Sequence, residues 1–227
     1  NGAPSERTVL DAMITVGPER GVDGMGIAID GTAGLGVKQF RLTPEETEEE
    51  QPLALDNLLL VADCRLDNRR ELGQRLGLAQ EQLARVSDAM LILLSYREWG
   101  DDCPRRLLGD FVFVIWDNHR QRLFAARDAM GARGLCYTCI DGVFLIASEI
   151  AQLLAHPAVQ PRVNDDRVAA FLVNLWDKLE ETFLRDIFYL PPAHTLSVTA
   201  DGIERQLFWE FQPRSIRYRK ESEYADH

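Results

Sequence analysis

The sequence predicts an α+β fold of antiparallel sheets with helices packed outside them. Three observations carry this. Residues 108–137 hold successive strand-like runs joined by turns of hairpin length. Helix-period segments fall in blocks between paired strands rather than singly between parallel ones, so crossover units are not indicated. Hydrophobic residues make up 46% and charged residues 27% of 227 residues, which suits one large soluble domain or two small ones.

Each element follows from local chemistry. Ser5 can cap a helix over 6–16 in which Val9, Leu10, Met13 and Ile14 recur at helical spacing, and Gly17-Pro18 stops it. A glycine-rich loop at 19–24 precedes strands at 25–29 and 35–40 around the Asp30-Gly31 turn. Five glutamates between Glu45 and Glu50 read as a solvated loop. A strand at 58–62 leads to a helix at 69–76, capped by Asp67 or Asn68 and ended by Gly77. Ser87-Asp88 opens a longer helix at 89–99 with Met90, Leu91, Leu94 and Trp99 turned inward, followed by a short helical piece at 103–108.

The apolar run 111–116 is rich in aromatic and β-branched residues and reads as a strand buried on both faces. A polar turn at 117–121 returns the chain along 122–126, and Arg127-Asp128 reads as an internal ion pair bracing the hairpin end. Strands at 135–138 and 143–147 follow, then a helix at 148–154 broken by His156-Pro157. A helix at 165–175 places Val168, Phe171, Leu172 and Leu175 at core spacing. After 182–187 and the turn Leu190-Pro191-Pro192-Ala193-His194 comes a hairpin of 195–198 and 204–209.

The bulk properties exclude several classes. A net charge of −11 repels a phosphate backbone, so nucleic-acid binding is not expected. No apolar run approaches the roughly 20 residues of a membrane span, and no signal peptide opens the chain. Cys64, Cys103, Cys136 and Cys139 are too scattered for a disulfide framework, which points to a reducing cytoplasm. Cys136 and Cys139 form a C-x-x-C inside a strand, where positions three apart face opposite sides, so no metal site is expected there.

Four stretches, in order, resemble motifs of one family. Gly109-Asp110-Phe111-Val112-Phe113 with Trp116-Asp117 resembles Gly-x-Phe-Ala-Phe-x-x-x-Asp, and residues 126–137 resemble Ala-Arg-Asp-x-x-Gly-x-Lys-Pro-Leu-Tyr-Tyr. Ala147-Ser148-Glu149 with Leu153-Leu154 resembles Ala-Ser-Glu-x-Lys-Ala-Leu, and Leu190-Pro191-Pro192-Ala193-His194 resembles Leu-Pro-Pro-Gly-His. The family is the asparagine synthetases, and the match is to their N-terminal class II glutamine amidotransferase domain. The resemblance implies an N-terminal-nucleophile-hydrolase αββα sandwich of two antiparallel sheets, with the first strand missing from this chain. It implies a domain over 1–211 and a linker over 212–227 toward a C-terminal synthetase domain that would carry ATP and magnesium.

In such domains an N-terminal cysteine attacks the glutamine amide, with its own α-amine as base. Here that cysteine would precede Asn1, whose amide side chain is no replacement. The resemblance places Gln39 where the family has its carboxylate-binding arginine and Phe40 where a leucine follows; Arg41 could substitute only after a register shift. It places Asp63 at the oxyanion-donor asparagine, Cys64 at the adjoining glycine, and Asp88 at the amine-binding aspartate. Asp63 accepts where a donor is needed. Without that cation and donor, glutaminase activity is expected to be lost or altered. β-Lactam synthetases and the macrolactam cyclases of lasso peptides have this character, and residues 60–69 with Thr43-Pro44-Glu45 resemble the lasso-cyclase branch more.

Simpler readings stand beside these. Asp88 can serve with Ser87 as a helix cap, Cys64 can be inert packing, and His194 can be a turn residue. Three functions follow: a vestigial amidotransferase domain of an ATP-dependent amide-forming enzyme, an active glutaminase domain supplying ammonia, or a non-catalytic scaffold gripping a peptide. The expected partners are the synthetase domain and a peptide or small amino-acid substrate; a homo-oligomer is compatible. A cysteine before Asn1 would favour the second. A Ser-Gly-Gly-x-Asp-Ser loop after His227 would favour the first two over the third.

Overall fold

Alternation along the central strand decides the layering. In a computed structural model, residues 4–16, 21–41, 43–47, 49–175 and 178–213 are described. Residues 1–3, the helix stop at Gly17-Pro18 and the tail beyond 213 lie outside them. Strand β5 (Gly109–Asp117) is buried on both faces. Phe111, Phe113 and Ile115 point one way and Val112, Val114 and Trp116 the other, because successive side chains alternate across a strand.

β5 sits inside a six-stranded sheet. Antiparallel to it run β4 (Leu58–Leu66) and β6 (Arg122–Arg127), then β3 (Leu53–Leu55) beside β4, and β10 (His194–Thr199) with β11 (Gly202–Leu207) beyond β6. Helices α2 (Arg69–Arg75), α3 (Gln80–Leu83) and α4 (Asp88–Trp99) belong to the outer side of this sheet. There Leu72, Leu91 and Ile92 join Phe111, Phe113, Ile115 and Phe124 in one apolar cluster.

The opposite face meets two smaller antiparallel sheets. One is β1 (Gly24–Asp30) with β2 (Ala33–Gln39); the other runs β8 (Val143–Ala147), β7 (Cys136–Ile140), β9 (Phe188–Tyr189). Leu35, Tyr137 and Leu190 pack there on Val112, Val114 and Trp116. A third cluster, holding Met13, Cys136 and Leu153, joins the small sheets to α1 (Arg7–Thr15) and α5 (Ile150–Leu154). Helix, sheet, sheet, helix is therefore the layer order, with every strand pair antiparallel. α1 lies this close to β2 only because the strand carries Gly34 and Gly36. A Cβ on Gly36 would stand 2.2 Å from Ile14 Cδ1.

Several local expectations are corrected. The strand at 58–62 continues to Leu66, and β3, α3 and β9 are too short to show a period. Asn68 does not cap α2 with its side chain; it donates to Arg106 O at 2.9 Å and accepts from Leu108 N at 3.1 Å. α4 buries Ala89, Leu91, Ile92, Leu93 and Tyr96, leaving Met90, Leu94 and Trp99 half-buried, because it lies against both the sheet and a 3-10 turn over Gly100–Arg106. The acidic loop is not simply solvated: Glu49 is half-buried and accepts from the Ser87 hydroxyl.

Arg127 and Asp128 form two separate backbone clamps rather than an ion pair. Arg127 donates to the carbonyls of Gly131, Arg133 and Leu190, while Asp128 accepts from the amides of Met130, Ala132 and Arg133. The largest correction concerns α6 (Asp165–Leu172). Its sole buried residue is Arg167, while Phe171, Leu172 and Leu175 are exposed. Helical spacing announces an apolar face, but it does not say that this domain covers it.

Candidate functional site

A cleft of about 720 Å³ runs through the layer of the small sheets. Its walls are two unpaired strand edges. Among the described residues β2 pairs only with β1, and β8 only with β7. α1 roofs it through Leu10, Met13 and Ile14, and β4 and β5 floor it through Val61, Val112 and Val114. One extended strand laid in this slot would face open backbone donors and acceptors on both sides.

The cleft brings together Gln39, Phe40, Asp63 and Cys64. Gln39 ends β2 with its amide turned inward, only 8% exposed. That amide holds a loop: Nε2 donates to Glu49 O at 3.0 Å, and Oε1 accepts from Gln51 N at 3.2 Å. Phe40 is exposed at the rim. Arg41 is engaged as well, donating to Glu49 O at 2.9 Å and to Asp23 O at 3.1 Å. Asp63 stands opposite Val112 in the β4–β5 register and accepts from Arg133 Nη1 at 3.3 Å. Burial pushes the neighbouring Cys64 thiol well above its usual range. The Asp88, Asp63, Glu49 and Glu46 carboxylates push it further in the same direction, so the nucleophilic thiolate is disfavoured.

Asp88 lies behind the cleft. Ser87 caps α4 by accepting from Met90 N at 3.0 Å, and Asp88 accepts from Leu66 N at 2.7 Å while pairing with Arg69. The pair and the β4 amide hold its carboxylate, so it offers little to a ligand in the slot.

Residues that periodicity did not single out shape the site. Gln51 Oε1 accepts from Ala62 N at 2.8 Å, tying the acidic loop to the floor. Glu49 lines the cleft, and desolvation raises its pKa against the lowering effect of hydrogen bonds from Ser87 and Gln51. A carboxylate raised in the folded state binds its proton more tightly there than in the unfolded chain, so its ionisation costs stability as pH rises through the folded value. Glu49→Gln is therefore expected to gain stability relative to the parent as pH rises from about 4 to 7, and to lose that gain on acidification. Urea melts across that range check it; a difference independent of pH would refute it. Nothing in local sequence pairs Asp63 with Arg133, which lie seventy positions apart.

A sequence profile of the glutamine amidotransferase domain matches residues 2–209. The chain belongs to the glutamine amidotransferase domains of the asparagine synthetase family. Asparagine synthetase [glutamine-hydrolyzing] 3 of Bacillus subtilis (strain 168) is 30% identical to this amidotransferase domain over 212 residues, covering 91% of it. A putative asparagine synthetase [glutamine-hydrolyzing] of Mycobacterium bovis is 34% identical over 209 residues, or 86% of the domain. The domain spans only about a third of these relatives, 34% and 32% of their lengths. A solved structure of B. subtilis glutamine phosphoribosylpyrophosphate amidotransferase shares the fold, with a TM-score of 0.56 at 19% identity over 82% of this domain and 37% of that chain. The amidotransferase domain thus has the nucleophile-hydrolase sandwich that its motifs implied.

All four cysteines of the amidotransferase domain are free, and the two of the C-x-x-C point to opposite sides, Cys136 buried and Cys139 exposed. Among the described residues no group of three or more His, Cys, Asp or Glu is placed to hold a metal ion, and no helix is long and apolar enough to cross a membrane.

Proposed function

We propose that this domain no longer releases ammonia from free glutamine. It serves as the N-terminal part of an enzyme that activates a carboxylate with ATP and magnesium, held elsewhere in the polypeptide, and closes an amide on an amine other than ammonia. In this it would be of the kind of the lasso-peptide cyclases and β-lactam synthetases; residues 60–69 and Thr43-Pro44-Glu45 resemble the lasso-cyclase pattern more. The observation that carries this is the Asp63–Arg133 pair. At the position that resembles the oxyanion donor stands a carboxylate, and the arginine beside it is already paired. An ionised acceptor there opposes the charge that develops on a tetrahedral intermediate.

The cations of the cleft support the same reading. Lys38, Arg41 and Arg133 are each already bonded to a protein oxygen, and the position matching the carboxylate-binding arginine is the buried amide of Gln39. The unpaired edges of β2 and β8 suit the chain's own first strand, which would complete the second sheet as the family resemblance implies.

Glutamine hydrolysis by the protein with its native N-terminus tests this. Loss of one oxyanion donor alone costs about 10²–10³ in kcat, and a deficit of at least that size is expected beside the B. subtilis relative. A comparable rate would overturn the reading in favour of an active glutaminase domain. The relatives, glutamine-hydrolyzing asparagine synthetases by name, favour that second reading.

A further inference from the structure

We infer that the apolar cap formed by α6 and the segment after it is the surface on which the synthetase part of the same polypeptide docks. This rests on the reading above that such a part exists. The cap is formed by Phe171, Leu172, Val173, Leu175, Leu179 and Phe183, all of them exposed; Leu172 and Val173 are exposed by 76% and 74%. It is a built surface rather than a scatter of side chains. The Phe171 and Phe183 rings meet edge to face at 5.5 Å, Asn164 N donates to Phe183 O at 2.9 Å, and Leu175 N donates to Ala170 O at 2.8 Å. The helix buries Arg167 and leaves its apolar end outward.

Single exposed apolar residues are ordinary, but a contiguous cluster marks an interaction surface. Two observations select the occupant. The relatives that match almost all of this domain are about three times its length, since the match covers 34% and 32% of them. A tethered second domain meets the cap at high effective concentration, and interdomain surfaces of about 600–1,500 Å² are the rule within chains. The net charge of −11 works against a second copy of this domain, because two such surfaces repel one another.

The test uses the full-length protein carrying Leu172→Cys, with Val173→Cys as a second variant. Maleimide labelling is read peptide by peptide, and the exposed Cys139 serves as internal reference. The introduced thiol is expected to label roughly tenfold or more slowly than Cys139, because labelling requires the covering domain to open. That protection should persist on dilution. Labelling at the rate of Cys139 would overturn the proposal. Protection that disappears on dilution would also overturn it, by assigning the cap to a second copy. ATP-dependent amide formation measured on the same samples separates the two readings. Amide formation with a freely labelled thiol sinks the docking surface alone, whereas a protected thiol without amide formation sinks the functional reading alone.

Discussion

Arg69→Ala is expected to destabilise the domain by about 3–5 kcal/mol, the range for breaking a buried pair from one side. Arg69 contacts three pieces of chain at once: it pairs with Asp88 at the start of α4 and donates to the carbonyls of Leu83, 3.1 Å, and Val86, 2.6 Å. The Asp88 side chain is 5% exposed, so truncating its partner leaves a carboxylate that water reaches poorly. Among the described residues, the Leu66 amide and the start of α4 would then be left to compensate it. The midpoint of urea unfolding should fall with an unchanged m-value. Arg69→Ala combined with Asp88→Asn should recover part of the loss, because the orphaned charge is gone and a coupling energy remains between the sites. A loss under about 1 kcal/mol, the size of an exposed pair, would refute the claim that this interaction locks the helical layer.

The same pair shows where sequence reasoning stops. Strands β5 and β6 were legible because alternation and turn chemistry are local, whereas β3 and the pairings of β4 with β5 and of β6 with β10, far apart in sequence, were not. Asp88 was singled out by resemblance and by its place after a capping serine, but neither showed which groups it would bind. One of them is Arg69, nineteen positions earlier and on another helix. Asp63 and Arg133 are joined across seventy positions in the same way. The identities at Gln39 and Asp63 could be read by aligning motifs, whereas the commitment of the Gln39 amide to the 49–51 loop is a property of packing. The division of the second sheet left no trace either, since an edge strand and a central strand can carry the same residues. The outward face of α6 failed for a related reason: periodicity reports that a face exists, and only the surrounding fold reports whether it is covered.

Asp128→Ala is expected to cost several kcal/mol, and it bears directly on the site. Asp128 is fully buried, and its two oxygens accept from Met130 N at 3.0 Å, Ala132 N at 3.0 Å and Arg133 N at 3.2 Å. Alanine leaves these part-buried amides without their acceptor, and a hydrogen bond to a charged group contributes about 1.5–3 kcal/mol. Asp128→Asn keeps Oδ1 for the first two amides but turns an NH₂ group toward Arg133 N, so its cost should fall between the parent and alanine. The loop they hold also presents Arg133 to Asp63 across the mouth of the cleft. Melts of the three proteins should rank parent, Asn, Ala. Thermal midpoints that coincide for Asn and Ala would mean that the acceptors of Met130 and Ala132 contribute nothing, and that Arg127, gripping the carbonyls of the same loop, holds it unaided.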